Sequence, residues 1–348
     1  MTAGERLRRS FVRAGLQPVD RLEALPAQGT VVIAATDWVF DEGLIKALAQ
    51  RQNGALMTPD GAAVAAHVKV AQAGDAVALL ESGRPVEGLM PIALAELAYN
   101  SALRKREAPV LERLTGANTR AVEAVLFRAS YKGVTDIVTK YAWPLPARAV
   151  TRWCALAGIT PNQVTFASFV FVLIAFYLFW VGQFALGLVA AYAMTFLDTV
   201  DGKLARVTLT SSKIGNVFDH GIDLIHPPFW WWAWFVGLGK LGFALPYGEA
   251  MLWVVLGGYV LQRVEEGIFM RAFGMHMHAW RPFDSFFRLI TARRNPNLIL
   301  LTLAVIAGRP DIGFAAVAVW TALCLAVHLV QIIQALAAPR PIVSWLAR

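Results

Sequence analysis

Beyond residue 160 the chain contains six long apolar stretches in succession, at approximately 163–181, 184–200, 214–238, 248–270, 296–308 and 312–336. About 20 apolar residues in a helix cross the hydrocarbon core of a bilayer. Lipid offers the backbone no hydrogen-bond partners, so such segments must satisfy their own N–H and C=O groups as helices. The pattern predicts six transmembrane helices, the fifth beginning early, within "FFRLITARRNPN". Composition agrees: 57% of the 348 residues are hydrophobic and only 16% charged, with a mean hydropathy of +0.51. These are values for an integral membrane protein.

Charge orients the spans. The segment before the first span, "DGKLARVTLTSSK" and "RAFGMHMHAWRPFDSFFRLITARR" are rich in Lys and Arg, whereas "VGQF", "GLGKLGFALPYGE" and "AGRPD" are poor. The positive-inside rule therefore puts both termini on the cytosolic side of a cell (bacterial inner) membrane. The basic "MTAGERLRRSFVRAGL" lacks the apolar core of a secretory signal, so the N-terminus is expected to stay in the cytosol. Lys and Arg outnumber Asp and Glu by 32 to 24. No basic stripe with interleaved aromatics accompanies that excess, so nucleic acid is not an expected partner. Cys154 and Cys324 form no CxxC pair and imply neither a disulfide framework nor a zinc site.

Composition changes near residue 130. Residues 1–128 read as a small cytosolic α/β domain of Rossmann-like type: "TVVIAA" and "DAVALL" suit buried parallel strands, and "DEGLIKALAQRQ" has helical spacing. Residues 129–160 mix Lys, Arg and Trp with apolar residues, as an interfacial amphipathic helix does. In "TPNQVT", Thr160 is a candidate N-cap with Pro161 at the first helical position, which starts the membrane domain, 161–348.

The puzzle is "DTVDGKLARVTLTSSKIGNVFDHGID", where Asp198, Asp201, Asp219 and Asp223 adjoin segments apolar enough for lipid. Spacings of three and four put each pair on one helix face. An uncompensated Asp at mid-bilayer costs about 2.5–3.5 kcal/mol on the lenient scale, and a fold is worth only about 5–15 kcal/mol, so cations are required. Hard carboxylate oxygens without a Cys or His pattern suit Mg²⁺ or Mn²⁺, and two ions would neutralise the cluster. Gly202 and Ala205 keep the helix wall thin beside Asp201, Arg206 offers a fork for phosphate, and Gly215 leaves room where helices draw close.

The whole pattern is Asp, two residues, Asp-Gly, two residues, Ala-Arg, eight residues, Gly, three residues, Asp, three residues, Asp. It resembles the signature of the CDP-alcohol phosphotransferase family at every defining position, and the likeness extends over roughly 130–336. That resemblance implies a membrane enzyme that moves a phosphate-linked group from a CDP-activated donor to an alcohol, at least one of the two a lipid, and releases CMP in phospholipid synthesis. It implies that Asp198, Asp201 and Asp219 bind the metal pair, with Asp223 completing the site or acting as the base. It puts Gly202, Ala205 and Arg206 at the cytidine diphosphate, with Gly215 in the same set, and homodimers are common in the family.

Other residues compete for roles. Arg293 and Arg294 precede the fifth span, where related enzymes use arginines for a donor or acceptor phosphate, and positive-inside topology would put them there too. Lys132 and Asp136 resemble a Lys and Asp that precede the first span in relatives, and they are expected to border the lipid entrance. His226 suits either capping of backbone freed by Pro227 and Pro228 or substrate contact, His220 has no assigned role, and Trp230, Trp231 and Trp232 read as packing. His276 and His278 lack partner ligands for a metal. Some relatives carry a cytidylyltransferase-like domain ahead of the membrane part. "VVIAATDWVFDEGLIKAL" resembles its strand, acid and helix, with Asp37 at a metal position, but no glycine-rich triphosphate loop is present. A degenerate, inactive relic with a structural Asp37 is the expectation. The rivals are a bifunctional enzyme that also makes its donor from CTP and an ion or metal transporter. A transporter would be expected to show paired repeats, and none is visible.

Overall fold

A computed structural model describes residues 2–83 and 88–348. Two compact units emerge: Met1–Asn100 with Arg106–Tyr131 and Val207–Leu209, and Ser101–Lys105 with Lys132–Arg206 and Thr210–Arg348.

The first unit is α/β. Helix α1 (Ala3–Arg13) starts at Thr2, whose hydroxyl accepts from the Glu5 N–H. Strands β1 (Thr30–Ala34) and β2 (Trp38–Phe40) lead into α2 (Glu42–Gln50), capped by Asp41. Strands β3 (Gly54–Met57) and β4 (Ala63–Lys69), helix α3 (Ala73–Ser82) and short strand β5 (Met90–Pro91) follow. After β6 (Tyr99–Asn100) and β7 (Lys105–Arg106), β8 (Leu111–Arg113) pairs antiparallel with β2, and α4 (Thr119–Ala129) ends the unit.

The main sheet has order β1-β4-β3-β5. Here the structure corrects the sequence reading twice. β4 runs antiparallel to both β1, in register from Thr30↔Lys69 to Ala34↔Ala65, and β3; only β3 and β5 are parallel. This is not the all-parallel sheet expected of a Rossmann-like domain. "DAVALL" is also no strand, because it lies inside α3. A short unbroken apolar run carries no period that separates a buried strand from a helix. Ala76 of α3 packs with Ala66 and Val68 on one side of the sheet, while Leu7 of α1 and Leu44, Ile45 and Leu48 of α2 cover the other side with Leu56 and Val64.

The second unit is helical. Instead of one helix over 129–160, a π-helical turn at Val138–Ala142 precedes α5 (Pro144–Leu156). Pro144 has no N–H to continue the earlier turn and is instead suited to start a helix. Helix α5 buries Ala147, Thr151 and Cys154 and exposes Leu145, Trp153 and Leu156, an amphipathic distribution with its apolar bulk outward.

Six helices then coincide with the six apolar stretches: α6 (Pro161–Trp180), α7 (Phe184–Thr208), α8 (Lys213–Lys240), α9 (Gly248–Phe273), α11 (Arg294–Ile306) and α12 (Pro310–Ala337), with the short α10 (Pro282–Phe287) before α11. Helices α6, α7 and α12 are long and apolar enough to cross a membrane. Helix α7 runs eight residues past the apolar stretch, so Asp201–Arg206 is helical. The core packs Trp230, Trp231 and Trp234 of α8 against Phe179, Phe184 and Phe314, with the Trp230 indole donating to the Val172 carbonyl at 3.0 Å. The three consecutive tryptophans are thus explained by packing, Trp232 lying against Phe176 and Trp180.

Candidate active site

The start of α6 is pinned first. Thr160 and Gln163 form a reciprocal capping box, which directs Thr165 of the second turn inward. The Thr165 hydroxyl donates to Asp201 Oδ2 at 2.6 Å. At Gly215 a β-carbon would collide with the Asn162 side-chain oxygen, so the glycine permits α8 to approach the start of α6.

That approach gathers acids from two helices. One oxygen each of Asp198, Asp201 and Asp219 lies within 4.8 Å of the others. Asp201 is buried, and its Oδ1 has no hydrogen-bond partner among the described residues. A buried carboxylate oxygen left unpaired beside two further carboxylates is costly unless a cation completes it. The all-oxygen donor set therefore fits a hard divalent ion. Asp223 stands outside this triad. Its Oδ1 accepts from Arg294 Nη1 at 2.6 Å, while Arg294 Nη2 donates to Asp198 Oδ2 at 2.6 Å, so one guanidinium bridges α7 and α8. The Asp223 side chain keeps 41% of its surface exposed, enough for a substrate group to reach it.

Gly202, Ala205 and Arg206 continue the Asp198–Asp201 stripe of α7 and are half-buried. The Arg206 guanidinium folds back over Gly202, where a β-carbon would lie 3.1 Å from Nη2. His226 is buried and edge-on to Trp230, and its Nδ1 meets the Ile222 carbonyl at 2.6 Å. It therefore touches neither of the carbonyls, Asp223 and Leu224, that Pro227 and Pro228 leave without a helical partner. His220 is exposed, its Nδ1 3.9 Å from Asp219 Oδ2.

A second polar centre adjoins the first and was invisible in the sequence. Glu266 of α9 takes the guanidinium of Arg293, that of Arg263 at 3.1 Å and His278 Nε2 at 3.2 Å. His278 is thus a buried partner of a carboxylate, and His276 lies in a different setting, exposed and within electrostatic range of Arg104 and Lys132. Asp136 accepts from the Thr139 N–H and hydroxyl and from Asn295 Nδ2, at 3.0, 2.9 and 2.9 Å. Burial pushes its carboxyl up, but the Arg288 charge and these bonds outweigh burial and hold it below the ordinary range. The residues of "RRN" are each committed: Arg293 to Glu266, Arg294 to Asp198 and Asp223, Asn295 to Asp136.

Cations outnumber carboxylates in this centre. The Nε atoms of Arg104, Arg263, Arg288 and Arg293 are buried without hydrogen-bond partners among the described residues. Lys132 is exposed, but partial desolvation, with Arg104 and Arg206 adding like charge, pushes its ammonium down to about 8, against the partial support of Asp198 and Asp223.

Comparison with known proteins matches residues 158–328 to the family model for CDP-alcohol phosphatidyltransferase. Archaetidylinositol phosphate synthase of Pyrococcus horikoshii is 40% identical over 79 residues, covering 22% of this chain and 42% of that protein. Human ethanolaminephosphotransferase 1 is 30% identical over 150 residues, 36% of this chain and 35% of the relative. Choline/ethanolaminephosphotransferase 1 of Arabidopsis thaliana is 33% identical over 120 residues, 29% of each. The chain thus spans less than half the length of each of these relatives. The matched segment contains the whole acidic stripe of α7 and α8 together with Tyr259, Glu266, Arg293 and Arg294. On that match residues 158–328 form a CDP-alcohol phosphatidyltransferase domain.

Proposed function

We propose that this protein transfers a phosphate-linked group from a CDP-activated donor to the hydroxyl of an acceptor alcohol, releasing CMP, as a step in making a phospholipid or phosphorylated lipid precursor. The observation that carries this reading is the convergence of Asp198, Asp201 and Asp219, with Asp201 Oδ1 otherwise unpaired, inside the matched segment. These three carboxylates would hold divalent Mg²⁺ or Mn²⁺, two ions, with Asp223 at the edge of the set. When bound, the ions neutralise the diphosphate and the charge growing on the CMP leaving group.

The chain's own groups do the rest. Gly202 and Ala205 leave the backbone of α7 approachable, and Arg206 presents its fork to the diphosphate of the donor. Asp223 takes the proton of the acceptor hydroxyl as its oxygen attacks the β-phosphorus. The bond from that phosphorus to the bridging oxygen breaks, and the electron pair leaves with CMP. Thr165 holds Asp201 in place from α6.

The surplus of buried cations around Glu266 supports an acceptor that carries a phosphate of its own, and one relative is named for making a phosphate-bearing product. We place the site on the cytosolic side of a six-span bundle, on the charge of its loops. In the first unit Asp37 is tied to Arg113 at 2.8 Å, which supports a structural role and no CTP chemistry there.

The test is CMP release by purified full-length protein offered a panel of CDP-linked lipids and CDP-linked polar alcohols, each with free and phosphorylated alcohols, with and without EDTA. Turnover that survives EDTA, or no CMP from any pair, overturns the reading. Pyrophosphate release from CTP by the same preparation would restore the bifunctional alternative.

A further inference from the structure

The sequence places two prolines directly after the last acid of the signature: Asp223, Leu224, Ile225, His226, Pro227, Pro228. Helix α8 continues through them as far as Lys240. In a helix the N–H of residue i satisfies the carbonyl of residue i−4, and proline has no N–H to give. Pro227 therefore orphans the carbonyl of Asp223, and Pro228 that of Leu224. Two neighbouring unpaired carbonyls in an apolar bundle cost free energy and leave that turn of helix loosely defined. The turn concerned is the one that carries the Asp223 carboxyl.

A single side chain from another helix answers both. The Tyr259 hydroxyl of α9 lies 3.0 Å from the Leu224 carbonyl and 3.3 Å from the Asp223 carbonyl, its one proton shared between them. Tyr259 is itself held: the Arg263 guanidinium lies over its ring at 5.5 Å, and Arg263 donates to Glu266 at 3.1 Å. Glu266 also binds Arg293, the neighbour of the Arg294 that grips the Asp223 carboxylate. Asp223 is thus located twice from one anchor, through its main chain by Tyr259 and through its side chain by Arg294. His226, the obvious candidate for the proline-freed backbone, instead bonds the Ile222 carbonyl.

We infer that Tyr259 is a positioning residue for Asp223, fixing the proline-broken turn of α8 so that the carboxyl meets the acceptor hydroxyl at a productive distance. The inference rests on the reading of Asp223 as the base. Because a proton acceptor misplaced by about 1 Å can cost roughly two orders of magnitude, a softened turn is expected to show in kcat and to leave substrate binding alone.

Tyr259→Phe tests this, since it removes the hydroxyl and keeps the ring under Arg263. The expected result is a fall of roughly tenfold in kcat, with donor KM and the Mn²⁺ concentration for half-activation within about twofold of the parent. In the Pro227→Ala/Pro228→Ala background, where residues 227 and 228 again supply N–H groups, the same Tyr259→Phe change is expected to alter kcat by less than about twofold. Unchanged kcat in Tyr259→Phe overturns the inference. So does a loss confined to KM or Mn²⁺ affinity, or an equal loss in both backgrounds. If Tyr259→Phe does not fold alone, comparison of the triple variant with Pro227→Ala/Pro228→Ala decides: equal kcat supports the inference and a tenfold loss sinks it. Asp223→Asn separates the layers, because full turnover there removes the base assignment whatever Tyr259 does.

Discussion

Two half-buried charge centres stand side by side in the helical unit, and their balances are opposite. Around α7 and α8, Asp198, Asp201, Asp219 and Asp223 confront the guanidinium of Arg294. Around α9, two arginines and a histidine close on Glu266, while Arg104 and Arg288 lie within electrostatic range. A fold that only had to bury polar groups would pair them off, since an uncompensated buried charge costs several kcal/mol. Leaving one centre short of cations and its neighbour short of anions makes sense if a ligand supplies both, a metal ion on one side and phosphate oxygens on the other. Arg293 and Arg294, adjacent in the chain, face one centre each.

The sharpest way to break this comparison is at the acids. Asp219→Asn is expected to lower CMP formation at least about a thousandfold while the thermal melt of the purified protein stays close to the parent, because it removes one of the three converging carboxylates. Retained turnover would mean that the acid centre is not where the ion acts.

At the basic centre the effect is on stability. Glu266→Gln removes the carboxylate that Arg263, Arg293 and His278 share, and is expected to cost about 3–5 kcal/mol, read as a lowered melting temperature. Added inorganic phosphate should recover part of the loss if the arginines form an anion site. A variant as stable as the parent would remove Glu266 as the anchor.

Smaller, and opposite in sign for binding and folding, is the titration of Lys132. Partial desolvation and its cationic neighbours bring the ammonium of this exposed lysine down to about 8, below the unfolded value near 10.4. Above pH 8 the charge is lost, so the KM of a phosphate-bearing substrate is expected to rise several-fold, and Lys132→Arg should flatten that rise. Between the two values the unfolded chain holds more protons than the folded one, so stability should increase with pH over the same window and fall as pH drops through 8. A KM flat from pH 7 to 9 would exclude Lys132 from the phosphate site.

The smallest expected effect lies in the first unit. Asp37→Asn breaks an exposed pair with Arg113 and should change stability by less than about 0.5 kcal/mol and CMP formation not at all. A large loss of turnover would show that this unit contributes to catalysis.

How much was legible varied with the range of the interaction. Apolar runs marked α6, α7, α8, α9, α11 and α12 to within a few residues, save for the eight extra residues of α7, because a helix satisfies its own backbone and its length is written locally. The spacing of Asp198, Asp201, Asp219 and Asp223 announced two acidic faces for the same reason. "DAVALL" misled, since an unbroken apolar run has no period. The sheet misled too, since the direction in which β4 pairs depends on strands distant in the chain. Pro227 and Pro228 declared that two carbonyls would need a donor, but only proximity across α8 and α9 could say that Tyr259, and not His226, provides it.

The sequence by itself determined that the chain enters a membrane, where six long helices of the second unit run and that four acids sit on two helical faces. All of these follow from hydropathy and from the fixed pitch of the helix. Only the tertiary structure decided that three acids converge while the fourth is held by Arg294, that Glu266 gathers Arg263, Arg293 and His278, and that the sheet of the first unit is mixed. Those outcomes depend on which distant side chains pack within hydrogen-bond reach, and no local period encodes that.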